Sequence, residues 1–279
     1  MIRSNLADFQ CLVPANLQEA LEQRASIPGL IPIAGGTEVM VWLNEGRAPG
    51  QKYQSLHRLA GEWRHIRPTP AGGFRIGALT TYTDLRLHAE LIARYPLFWE
   101  SSRMTGALQI QNRGTLVGNI ANGSPAADSA PGLLVYDAQV HLVSLRGARV
   151  VPFADFQTGY RRNVLAADEL ISAIELPPHP FAGGRTHYRK VGTREAQAIS
   201  KVVFAGARSA DGRTVRLAWG SVAATTIRTR RTEQALIDGA PFADASRILQ
   251  EEITPLDDIR STATYRRQVA NRILREFIG

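Results

Sequence analysis

Apolar positions along the chain fall into short blocks whose spacing switches between the helical and the strand period. Asn16-Leu17-Gln18-Glu19 has the form of a helix start, with Leu17, Ala20 and Leu21 following on one face. Ile27-Pro28-Gly29 ends that helix, and Leu30 to Ala34 read as a short apolar strand. Glu38 to Asn44 read as a helix and Phe74 to Leu79 as a strand. Thr81-Tyr82-Thr83-Asp84 repeats the capping pattern ahead of Leu85, His88, Leu91 and Ile92, and Pro96 opens a helix to about Met104. Residues 114–128 break this rhythm. They are rich in Gly, Asn and Ser, have neither period, and are predicted to be irregular; so long a loop inside a domain is usually functional. Leu133 to Ala138 read as helical. Gln139 to Leu145 then alternate as a strand, turn at Arg146-Gly147 and return through Ala148 to Val151, and Leu170 to Leu176 form a further strand.

Pro177-Pro178-His179-Pro180 and Gly183-Gly184 mark a linker. Beyond it, Thr186 to Val191, Ile199 to Ala207 and Val215 to Gly220 read as strands, the last two joined at Asp211-Gly212. Helices follow at Thr232 to Ile237, Phe242 to Glu252 and Thr264 to Phe277. Helices segregated from antiparallel hairpins predict an α+β fold, with one domain over 1–176 (subdomains of about 1–55 and 56–176) and a second over 177–279.

Composition narrows the chemistry. The 279 residues hold one cysteine, Cys11, which can make neither an internal disulfide nor a four-thiolate metal centre, so redox work needs an organic cofactor or a partner chain. Cys11 is expected to be a small buried hydrophobe. With 33 basic and 25 acidic residues the net charge is +8, suited to an anionic ligand or an acidic partner, but the arginines are spread along the chain as on a solvated surface. Residues 1–10 lack the apolar run of a signal peptide, and no stretch is long and apolar enough for a membrane helix, so the cytoplasm is the expected compartment. There is no GxxxxGK[ST], GxSxG or HExxH, the six histidines lack metal-ligand spacing, and no nucleic-acid module is recognisable.

Two segments carry candidate chemistry. Ile33-Ala34-Gly35-Gly36-Thr37-Glu38 is a strand that ends in two glycines before a helix, where backbone can approach a phosphate without Cβ interference. Gly-Gly before a helix is equally an ordinary turn. The second segment, residues 114–128, offers backbone N–H donors, the hydroxyls of Thr115 and Ser124, the amides of Asn119 and Asn122, and the Asp128 carboxylate, an inventory suited to a diphosphate joined to a polyol. A structural Ω-loop would have similar composition.

These two loops resemble those of the FAD-binding medium subunits of the molybdenum hydroxylases, the xanthine dehydrogenase and carbon monoxide dehydrogenase family. The resemblance extends through Ile76-Gly77-Ala78, Gln109 to Thr115, Gly118-Asn119-Ile120, Ser124-Pro125-Ala126-Ala127-Asp128, Glu169-Leu170-Ile171, Tyr188 to Arg194 and Asp258-Ile259-Arg260. It implies a two-part FAD-binding domain of the PCMH type followed by an antiparallel sheet with helices. Residues 33–38 and Thr115 to Asn119, including Gly118, would cradle the FAD diphosphate. Asn122, Ser124 and Asp128 would meet phosphate or the ribityl chain. Ala121 would lie near the flavin ring, Thr105 and Gly106 near the nucleotide portion or the ring edge, Ile171 at the flavin or adenine side, and Arg189 or Lys190 by the ring. Strand register decides between those two cations. Val117 stands where a glycine is usual, so its side chain either crowds the pyrophosphate or faces inward, and Gln111 stands where an arginine is common.

The resemblance implies an electron-transfer subunit. A large molybdenum-cofactor subunit would hydroxylate the substrate, a small [2Fe–2S] subunit would pass electrons to FAD here, and NAD or another carrier would accept them, in an assembly such as a dimer of heterotrimers. No membrane insertion and no nucleic-acid partner are expected. The competing readings are a stand-alone FAD-dependent reductase, for which the residues offer no obvious proton donor, and a basic non-enzymatic binding module, whose nucleic-acid binding would fall steeply with salt.

Overall fold

The computed structural model describes residues 9–46 and 52–279. The signal-peptide reading of the N-terminus therefore lies almost wholly outside the described residues.

A three-stranded parallel sheet comes first, with Lys52–Ser55 between Gln10–Leu12 and Ile31–Ile33. Parallel neighbours need crossovers, supplied here by the helices Leu17–Ser26 and Val39–Asn44. Asn16 caps the first helix, its side chain accepting from the Glu19 N–H at 3.0 Å. Glu19 reaches back to the Ala15 N–H, one residue beyond the predicted box. Cys11 is exposed, contrary to expectation, because its short strand lies at the edge of this sheet.

A five-stranded antiparallel sheet follows, in the order Ile66–Pro68, Phe74–Gly77, Leu170–Leu176, Gln139–Ser144, Gly147–Pro152. The Arg146-Gly147 hairpin forms as read, with Ser144 opposite Gly147. The helical run after Thr81 is two helices, Tyr82–Leu87 and Ala89–Arg94, divided at His88. His88 leaves helical geometry, and its side chain accepts from the Leu91 N–H at 3.2 Å to cap the second. Thr81 and Asp84 form the full capping box at 3.1 and 2.9 Å.

Residues 114–128 are not irregular throughout. Leu116–Ala121 is a helix whose Leu116, Val117 and Ile120 are buried in the main core against the strand Leu170–Leu176. Tertiary burial overrides the weak propensity of its Gly and Asn residues. The next helix is Ala130–Val135, three residues earlier than the pattern suggested, with proline in its first turn.

The third sheet is antiparallel, in the order Arg185–Val191, Val202–Arg208, Val215–Gly220, Ile227–Arg228. Val202 and Phe204 face the helices Arg230–Ile237, Phe242–Glu252 and Ala263–Ile278, whereas Ala205, Ala207 and Ala218 join the main core. Those small side chains let the helices Pro96–Met104 and Ala130–Val135 settle on the opposite face of the sheet. The sheet is thus sandwiched, and its inner strand is buried almost throughout.

Beside the first hairpin, Glu169 accepts two bonds from Arg149, at 2.6 and 2.8 Å, and one from the Ala166 N–H at 2.8 Å. These bonds, that from Arg149 foremost, hold its carboxyl below the ordinary value. A depressed folded value means stability that is present above the unfolded pKa, ~4.3, and lost as pH falls through the folded one. Melting temperature followed against pH should therefore fall less steeply on the acid side in Glu169→Gln than in the wild type. Parallel acid limbs would refute this.

Candidate functional site

Two turns meet edge to edge. The strand Ile31–Ile33 delivers Ala34-Gly35-Gly36-Thr37 to one side of a cleft. Gly36 has φ +75°, a conformation open to glycine at little cost. A Cβ on Gly35 would overlap the carbonyl of Arg113 in the facing turn, so glycine is what lets the two backbones touch. On the facing side Thr115 caps Leu116–Ala121 by accepting from the Gly118 N–H at 2.9 Å. Backbone N–H groups in the first turn of a helix have no intrahelical acceptor and are ready anion donors. The Tyr82 N–H bonds the Gly114 carbonyl at 3.0 Å, which fixes the approach to that turn.

Thr37 and Glu38 line one wall, half-exposed, and Gly118, Asn119, Ala121, Asn122 and Ser124 line the other with at least partial exposure. Val117 turns its side chain into the core, which decides between its two readings: it does not crowd the turn. Gln111 is buried and donates to the Arg103 carbonyl at 3.0 Å. Ile171 is buried on the strand beneath Leu116–Ala121.

Beneath the wall lies a buried ionic cluster. Lys190 Nζ donates to Asp128 Oδ2 at 2.7 Å and to the Met104 carbonyl at 2.8 Å. Ser200 Oγ donates to Asp128 Oδ1 at 2.6 Å, and Tyr188 donates to the Asp128 carbonyl at 3.1 Å. Burial pushes the Asp128 carboxyl above its ordinary value, against the opposing pull of Lys190 and Ser200. Register thus settles the orientation of the two cations: Lys190 points inward and Arg189 is exposed. Thr105 is also interior, donating to the Ser101 carbonyl at 2.7 Å, and Gly106 (φ +60°) accepts from the Gln197 N–H at 3.1 Å.

Sequence reasoning missed the hairpin Gln157–Gly159 and Arg162–Asn163. Asn163 Nδ2 bonds the Ala121 carbonyl at 3.1 Å, the Arg161 N–H bonds the Gly123 carbonyl at 3.2 Å, and the Arg161 guanidinium lies 3.5 Å from Glu38. Arg161 therefore connects the two walls. The strands on either side of it are too short to show a period, and its positive φ (53°) sits at a residue type that does not advertise it. Ser200 was likewise missed, since nothing local sets it apart from a surface serine.

The cleft fits FAD on two observations. One glycine contact excludes any Cβ where the turns touch, and the exposed donors are backbone amides, hydroxyls and carboxamides of the kind that hold a diphosphate and a polyol. Glycine turns facing a capped helix start form a site of the kind a flavin-binding oxidoreductase component needs. Residues 7–179 match the family described as the FAD binding domain in molybdopterin dehydrogenase, and residues 187–279 match the CO dehydrogenase flavoprotein C-terminal domain. The chain belongs to the FAD-binding subunits of the xanthine and carbon monoxide dehydrogenase type. It is 31% identical to the xanthine dehydrogenase FAD-binding subunit of Escherichia coli O157:H7, over 95% of this chain and 93% of that one. It is 29% identical to the glyceraldehyde dehydrogenase medium chain of Sulfolobus acidocaldarius, over 94% of each. Among solved structures, carbon monoxide dehydrogenase from Hydrogenophaga pseudoflava superposes with a TM-score of 0.90 at 25% identity, covering 99% of this chain and 96% of that one. The fold expected from the resemblance is the fold observed.

Proposed function

We propose that this chain is the electron-transfer member of a molybdenum hydroxylase, receiving electrons from a small [2Fe–2S] subunit and passing them to NAD or another carrier. The observation that carries the reading is the contact of Gly35 with the Arg113 carbonyl, which joins two anion-binding turns into one cleft. Residues 33–38 and Thr115, Gly118 and Asn119 would hold the FAD diphosphate. Asn122 and Ser124 would take phosphate or ribityl oxygens. Ala121, Ile171, Thr105 and Gly106 would border the rest of the cofactor. FAD supplies the one- and two-electron chemistry; the protein orients it and sets its field. Lys190 has three N–H donors and spends two on Asp128 and Met104, so it can hold Asp128 in place and still add positive charge to the cleft floor. Asp128 would act through this pair, because both its side-chain oxygens are engaged.

The relatives named medium chains support a multi-subunit assembly. In this reading the partners are a large molybdenum-cofactor subunit and a small [2Fe–2S] subunit, the assembly is a dimer of heterotrimers, and its compartment is the cytoplasm. Among the described residues no helix is long and apolar enough to cross a membrane. The same reading divides the chain into a FAD domain over 1–176, with subdomains of about 1–55 and 56–176, and a C-terminal domain over 177–279. Purification of the untagged complex tests this. The expected result is a flavin absorption spectrum, an extracted cofactor with the mass of FAD, and two co-purifying subunits carrying molybdenum and iron. A colourless chain would remove the cofactor reading, and a flavoprotein without partners would favour the stand-alone reductase.

A further inference from the structure

The cleft wall is backed by a chain of buried hydroxyls that the cofactor reading does not use. Ser129 Oγ donates to Asn119 Oδ1 at 2.9 Å, and Tyr82 Oη lies 3.1 Å from the same Ser129 oxygen. Ser129 is fully buried and Tyr82 is 2% exposed, so neither hydroxyl meets ligand or solvent directly. Asn119 differs, since it is half-exposed on the wall.

An asparagine side chain has one accepting and one donating end. If Ser129 takes the accepting end, the donating Nδ2 is the end left for the cleft. A hydroxyl has one proton to give, so Ser129, in donating to Asn119, can only accept from Tyr82. We propose that Ser129, braced by Tyr82, is a positioning residue that fixes the Asn119 carboxamide with its N–H₂ toward the diphosphate of FAD. This rests on the FAD reading above and deepens it. The reversed amide would aim a carbonyl oxygen at an anion. The brace itself is anchored from the far side of the molecule, because Ser129 follows Asp128, which Lys190 and Ser200 hold.

The test uses the full chain, stripped of flavin and titrated with FAD. Asn119→Ala removes a hydrogen bond to a charged group and should weaken FAD binding about tenfold to a hundredfold. Ser129→Ala and Tyr82→Phe leave Asn119 present but free to turn. Each should weaken FAD binding about threefold to tenfold, the effect of one neutral hydrogen bond. The double variant Asn119→Ala/Ser129→Ala should bind FAD no more weakly than Asn119→Ala alone, because the serine acts through the asparagine. A serine of purely structural importance would give additive losses in that cycle, and additivity overturns the proposal. So does unchanged affinity in both Ser129→Ala and Tyr82→Phe. If Ser129→Ala does not fold, Tyr82→Phe paired with Asn119→Ala supplies the same cycle. Failure of the wild-type chain to bind FAD at all would instead defeat the cofactor reading, and the positioning role with it.

Discussion

Lys190→Met should be the most damaging single substitution in the molecule, costing about 3–5 kcal/mol of folding stability. The side chains of Lys190 and Asp128 are 2% and 10% exposed, and their ion pair is 2.7 Å long. Removing the ammonium leaves a buried carboxylate whose remaining side-chain partner is Ser200, and leaves the Met104 carbonyl without its lysine donor. An unpaired buried charge costs far more than the pair contributes, so the effect is asymmetric. Asp128→Asn in the Lys190→Met background should recover much of the loss, because a neutral amide can still bond Ser200. Denaturant unfolding of the two variants and the wild type measures both steps. A loss below ~1 kcal/mol in Lys190→Met, or no recovery in the double variant, would show that solvent reaches the pair and that it behaves like a surface salt bridge.

Gly35→Ala should abolish FAD retention while costing only about 1–3 kcal/mol of stability, the usual range for an overpacked contact. The added methyl meets the Arg113 carbonyl, which is backbone and cannot rotate away. The turns must separate, and the cleft between them changes width at the place where the diphosphate would sit. Gly36→Ala attacks the same turn differently. It asks an alanine to adopt φ +75°, with nothing closer to its Cβ than the Ile33 side chain at 3.6 Å, so it strains one turn without driving the two apart. The flavin-to-protein ratio after purification, read beside the melting temperature, separates the cases. Gly35→Ala retaining full flavin would contradict the cleft assigned here.

Much of this architecture was legible because its signals are local. Asn16 and Thr81 announce helix starts through side chains that bond their own neighbours, and Asp211-Gly212 announces a hairpin through the φ that Gly212 adopts, +71°. The glycine turn at 35–36 and the Thr115 segment were readable as candidate chemistry for the same reason. The helix Leu116–Ala121 was not, because its stability comes from burying Leu116, Val117 and Ile120 on a sheet whose nearest strand begins 49 residues after the helix ends, at Leu170. The choice between Arg189 and Lys190 turns on register, which sequence alone leaves one residue from reversal. Ser200 and Arg161 became visible only in space. Each gains its role from a partner far along the chain, Asp128 at 72 residues for Ser200 and Glu38 for Arg161.

The Asp128–Lys190 pair spans 62 residues of chain. A ribosome adding roughly 5–20 residues per second takes ~3–12 s to cover that distance. Throughout that interval the growing chain holds an acid destined for burial without the Lys190 ammonium that pairs with it. The Asp128 carboxylate therefore cannot be buried with its partner as its own segment emerges. It waits for the Arg185–Val191 strand, so cofactor uptake that depends on this pair would fall late in the life of the nascent chain, after most of the third sheet's first strand has been made.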